Sequence, residues 1–102
     1  MKFGSAAVIG MAFAAGALSM APAQASDLQI KMWASSCASC HGTNGNAQAP
    51  MVKLAGADAK ATLEALLAHK RGERNGTIMH QIAKGYTDEQ LAQLADYFAA
   101  QR

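Results

Sequence analysis

The stretch Cys37-Ala38-Ser39-Cys40-His41 decides how this chain must be read. Its two thiols are the only cysteines present, so no disulfide framework holds the fold. A thioredoxin-like C-x-x-C needs a strand–helix–strand setting, and no stretch here alternates apolar and polar residues long enough for a strand. A zinc site needs a second ligand pair, and the other histidines, His69 and His80, stand eleven apart at no finger spacing. A Cys37–Cys40 disulfide stays as a rival in an oxidising compartment. The pattern that accounts for the histidine as well as the thiols is C-x-x-C-H, the attachment sequence of c-type haem. Two thiols three apart at a helix end add to two vinyl groups on one porphyrin edge. The adjoining imidazole of His41 then reaches the iron.

Outward from the motif, the first 25 residues carry one charge, Lys2, and nine alanines. An apolar run from Phe3 to Leu18 is followed by Pro22 and by Ala23-Gln24-Ala25, a small-x-small site. This reads as an export signal, residues 1–25, cleaved after Ala25 to leave a periplasmic domain at 26–102. A retained anchor is the rival, since 3–21 approaches the ~20 residues a bilayer needs. So much Ala and Gly inserts weakly, however. The whole chain has 9 Lys+Arg against 7 Asp+Glu and no basic run, which gives no case for nucleic acid. After Ala25 there are 35 apolar residues, of which 15 are alanine. A core that thin is marginal at this size, and a cofactor filling the interior supplies what is missing.

The remaining pattern is helical. Ser26 and Asp27 are N-cap candidates for a first helix over 27–38, with Leu28, Ile30, Met32 and Trp33 as its bulky positions. Residues 42–57, rich in Gly and Asn, read as a loop. A helix over 58–71 carries Leu63, Leu66 and Leu67 and meets Gly72 just past its end. A short helical piece near 76–84 holds Ile78, Met79 and Ile82. Thr87-Asp88-Glu89-Gln90 is a capping box, and Leu91, Leu94, Ala95 and Phe98 form the stripe behind it. Trp33, Tyr97 and Phe98 are the large side chains available to pack the first helix on the last.

With His41 on the iron, a sixth ligand is needed. Met79 is the choice, because 38 residues past His41 give chain enough to wrap the porphyrin. Met51, eleven past Cys40, has a short path round the ring. Met32 reads as a core residue. His80 is the chief rival to Met79, and His69 is expected on the outer side of its helix beside Lys70 and Arg71.

These features together resemble a class I cytochrome c over the whole of 26–102. The resemblance implies an all-α fold of about four helices round one covalent haem c. More closely, His41-Gly42-Thr43-Asn44-Gly45-Asn46 and Thr77-Ile78-Met79-His80-Gln81-Ile82-Ala83-Lys84-Gly85-Tyr86-Thr87 resemble the cytochrome subunit of flavocytochrome c sulfide dehydrogenase. That family's distal methionine falls on Met79, and Gly72-Glu73-Arg74 fits a turn before it. His80 replaces the family's usual glycine, and one C-x-x-C-H stands where many members carry two, which implies a single-haem form. The resemblance also implies that the Pro50 carbonyl accepts the second imidazole N–H of His41.

The function these readings imply is one-electron transfer, with Cys37 and Cys40 holding haem c and His41 and Met79 as axial ligands. The implied partner is the flavoprotein subunit of a sulfide dehydrogenase, with a further redox protein as acceptor. A free diffusible cytochrome feeding an oxidase or reaction centre is the alternative. A haem sensor or peroxidase-like protein is a third reading, for which the sequence offers no assignable catalytic base.

Overall fold

The computed structural model describes residues 2–12, 14–17 and 25–102. Among the described residues four α-helices follow one another: α1 (Asp27–His41), α2 (Ala59–Arg71), α3 (Met79–Ala83) and α4 (Asp88–Ala99), with a 3-10 turn at Thr43–Gly45. Among the described residues there is no strand. Residues 2–12 and 14–17 are exposed and carry no regular structure. Pro22 and most of the Ala23-Gln24-Ala25 cleavage reading lie outside the described residues. Among those described, no helix is long and apolar enough to cross a membrane.

The Ser26 hydroxyl starts α1 by accepting the Gln29 N–H at 3.2 Å. The helix runs on to His41, past the expected 38. Nothing in Cys-Ala-Ser-Cys-His breaks a helix, and the first stop is Gly42, whose N–H donates to the Ala38 carbonyl. The motif therefore lies inside the last turn of α1. At about 100° per residue, Cys37, Cys40 and His41 share one side of that turn.

The capping box opens α4: Thr87 Oγ1 accepts the Gln90 N–H at 3.1 Å, and Gln90 Oε1 accepts the Thr87 N–H at 2.8 Å. Leu91, Leu94, Ala95 and Phe98 behind it are all buried. Ala34 of α1 reaches this cluster, with Trp33 and Tyr97 half-buried against it. Met32 does not belong to the core. It is 65% exposed, as Leu28 one turn earlier is 69% exposed, because α1 needs only its Trp33–Ala34 side to meet α4.

Asp58 caps α2 rather than beginning it, its carboxylate accepting the Ala61 N–H at 2.8 Å. Despite its leucines, α2 buries no residue fully. The loop before it is clamped onto α4. The Gly45 carbonyl accepts from Leu54 and Ala55, the Gly56 N–H donates to Phe98, and Tyr97 Oη donates to Asn44 Oδ1 at 3.0 Å. Gly45 is required there twice over. Its φ is +78°, and a Cβ would meet Phe98 Cδ1 at 2.8 Å and the Ala55 nitrogen at 2.9 Å.

Candidate haem site

The face that α2 leaves unburied borders a cavity of about 370 Å³. The end of α1 brings Cys37, Cys40 and His41 to it, α2 brings Leu66 and His69, and α3 brings Met79 and Ile82. Leu91, Leu94 and Phe98 of α4 complete the wall. The capping box and the α4 stripe thus position the back of the site, while the uninterrupted helix at 37–41 positions its reactive groups.

His41 Nδ1 lies 2.7 Å from the Val52 carbonyl oxygen. A carbonyl only accepts, so Nδ1 carries the proton and Nε2 is the basic nitrogen of the ring. This corrects the expected partner, Pro50. Pro50 lies in a turn closed by the Met51 N–H on the Gln48 carbonyl, and the chain presents a carbonyl to the imidazole only after that turn. Pro50 is exposed and does not line the cavity.

No disulfide joins Cys37 and Cys40; Cys40 is exposed and Cys37 half-buried. Burial pushes the Cys37 thiol above its ordinary range, opposed in part by its hydrogen bond with the Ser36 side chain. The reactive form of cysteine is the thiolate, so the pocket does not itself sharpen this sulfur as a nucleophile. Among the described residues, no three of His, Cys, Asp and Glu gather as a zinc site would require.

Met79 and Met51 both line the cavity, whereas Met32 and His80 do not. His69 is a second correction. It does not stand outside α2 but is half-buried and lines the cavity, with Nδ1 3.1 Å from the Arg74 carbonyl oxygen. Its spacing of three from Leu66 places both on one helical face, a signal the leucine stripe already carried. The partner at Val52 left no such sign in the sequence. Tyr86 Oη sits 3.0 Å from Ser36 Oγ and ties α1 to the segment after α3.

The donor set suits a porphyrin: two thiols and an imidazole of fixed tautomer on one helix end, a thioether from another helix, and a largely apolar wall. A helical shell built round such a cavity defines a covalent haem protein. The chain belongs to the cytochrome c family, whose family model matches residues 30–101. That family consists of electron carriers that hold haem c, and Cys37, Cys40 and His41 fit its attachment motif.

Among its relatives, the chain is 41% identical to the cytochrome subunit of sulfide dehydrogenase of Chlorobaculum tepidum, over 62% of this chain and 57% of that one. It is 35% identical to cytochrome c-554(548) of Halomonas halodenitrificans, over 64% of this chain and 83% of that one. It is also 37% identical to cytochrome c4 of Pseudomonas aeruginosa, over 65% of this chain and 33% of that one. The chain thus spans little more than half the length of the sulfide dehydrogenase subunit.

Proposed function

We propose that this chain is a periplasmic one-electron carrier in which His41 and Met79 are the axial ligands of a haem held through Cys37 and Cys40. The observation that carries this reading is that all four side chains line one apolar cavity. Haem c, when bound, supplies the one-electron couple. The Val52 carbonyl orients the imidazole and raises the basicity of its Nε2. A neutral, soft thioether from Met79 favours the reduced state and so raises the potential relative to a second imidazole. Leu91, Leu94 and Phe98 exclude water from the far wall.

The donor we propose is a sulfide-oxidising flavoprotein, of which this chain is the cytochrome subunit. The similarity to the Chlorobaculum subunit and the Thr77-Ile78-Met79 segment support it. The mouth of the cavity also suits a close apolar contact. Met51, Val52 and Ile78 line it and remain 44%, 64% and 52% exposed. Export follows the Lys2-led apolar leader, with cleavage after Ala25 leaving 26–102.

Gel filtration of a native periplasmic extract tests the partner. A haem peak co-migrating with a flavoprotein is expected at low salt and at ~0.5 M, where screening falls to a few ångströms. A haem peak running alone at both salts would replace this reading with a free carrier. The observation on the side of that second reading is that the chain covers 83% of the Halomonas cytochrome, whose name does not make it a subunit.

A further inference from the structure

Between α2 and α3 the chain runs exposed from Gly72 to Ile78 before it delivers Met79 to the cavity. Three backbone bonds tie the start of this segment to α2: Gly72 N–H to the His69 carbonyl, and Glu73 and Arg74 N–H to the Ala68 carbonyl. Among the described residues, the one α2 side chain that hydrogen-bonds to the segment is His69, whose Nδ1 donates to the Arg74 carbonyl at 3.1 Å. The same ring bears on the segment a second time. At Gly76 a Cβ would stand 3.0 Å from His69 Cε1 and 3.4 Å from Nδ1, so a methyl group there would press on the ring, which would have to give by a few tenths of an ångström. Gly76 in turn lies against Met79, whose Cβ is 3.6 Å from that same position.

We infer that His69 is a positioning residue, a latch that holds the 72–78 segment against α2 and so keeps the Met79 thioether in the cavity. This rests on the reading of Met79 as an axial ligand. His69 meets the segment at two places on either side of Asn75: a hydrogen bond at Arg74, and a passage at Gly76 so close that an added Cβ would press on the ring. A peptide fixed at both places cannot swing Met79 outward without breaking the hydrogen bond or parting Gly76 from the ring. Net, a neutral hydrogen bond of this kind shifts an equilibrium by roughly five-fold. Loss of the latch should therefore raise by about that factor the population in which the thioether has let go.

The experiment is a titration of the ferric holoprotein with imidazole, which competes with the thioether, followed through the weak red-edge sulfur–iron band. His69→Leu keeps apolar bulk but removes the donor, and should tighten apparent imidazole binding about five-fold. His69→Asn places an amide N–H where Nδ1 was, and should return the affinity to within two-fold of the parent. Gly76→Ala leaves His69 in place, presses its ring with the new methyl group, and should tighten binding as His69→Leu does. Unchanged affinity in His69→Leu and Gly76→Ala overturns the latch. So does a reversed order, with Leu harmless and Asn not, since that pattern means packing alone. A Met79→Ala protein that keeps the sulfur–iron band would instead refute the ligand assignment itself. If His69→Leu does not fold, Gly76→Ala and His69→Asn decide alone: tightening in the first without the second supports the latch, and any other pattern overturns it.

Discussion

Gly45→Ala is the substitution whose cost the structure defines most closely. The residue is buried with φ +78°, and the added Cβ would fall 2.8 Å from Phe98 Cδ1, 2.9 Å from the Ala55 nitrogen and 2.9 Å from Leu54 Cβ. Two penalties combine. A left-handed conformation costs a non-glycine residue about 1–2 kcal/mol. Forcing a methyl group into packed backbone and core costs roughly 1–3 kcal/mol more. The expected loss is therefore about 2–5 kcal/mol, a large fraction of the ~5–15 kcal/mol that holds a domain together. Gly56→Ala is the built-in control. Its φ is +72°, but a Cβ there meets only the Gln101 carbonyl oxygen, at an ordinary 3.5 Å. It should lose the conformational part alone. Guanidinium unfolding of both holoproteins can be read from Trp33, the chain's one tryptophan, whose emission the haem quenches while the chain is compact. The midpoint should fall further for Gly45→Ala, with the slope unchanged. Equal losses in the two variants would refute the claim that the 42–57 loop is wedged against Phe98.

Further outcomes follow from other parts of the molecule. Haem colour should survive a denaturing gel and acid-acetone extraction, and carbon monoxide should not bind the ferrous protein at neutral pH; ready binding would favour the sensor reading. Met79→Ala should abolish the sulfur–iron band, while Met32→Ala and Met51→Ala should keep it; loss of the band in Met51→Ala would move the ligand to the 51–54 segment. Thr87→Ala removes the cap from the helix that carries the core and should cost about 1 kcal/mol by denaturant titration, with less than ~0.5 kcal/mol counting against the capping argument. Lys70, hydrogen-bonded to Asp88 at 2.7 Å, holds that carboxyl below its ordinary value. The native carboxylate therefore keeps its charge to lower pH than the unfolded one. The stabilisation is complete above the ordinary carboxylate value and is lost as pH falls through the lowered one. The stability gap between parent and Asp88→Asn should accordingly be present near neutrality and vanish in strong acid. A gap that persisted in acid would contradict the ion-pair origin.

Much of this architecture is legible in the amino-acid sequence alone. The reason is that its signals were local: Ser26, Thr87 with Gln90, and Gly72 punctuate helices by interactions three or four residues long. Leu91, Leu94, Ala95 and Phe98 announce a buried face by period alone, and C-x-x-C-H states its chemistry within five residues. What escaped was set by tertiary geometry. Whether Pro50 or Val52 faces His41 depends on how the 48–51 turn lies, which no residue type specifies. Met32 looked like core because it is apolar, yet an exposed apolar side chain is common and only the packing partner decides. The charged neighbours Lys70 and Arg71 point His69 to solvent, whereas the leucine period places it inward, where the fold puts it.

The unbroken run of α1 through His41 has a mechanical consequence. Cys37, Cys40 and His41 sit on a single rigid rod, and the one residue that rod buries fully is Ala34, one turn before Cys37. Ala34 therefore acts as a fulcrum. A slightly larger side chain at that point would tip the rod as a whole, leaving the spacing of Cys37, Cys40 and His41 intact while shifting all three against Met79, which hangs from a different helix. One small residue at a helix crossing, which itself binds nothing, thus bears on how this helix end lines up with Met79. Graded changes there offer a way to adjust the carrier's potential without touching any group that binds the cofactor.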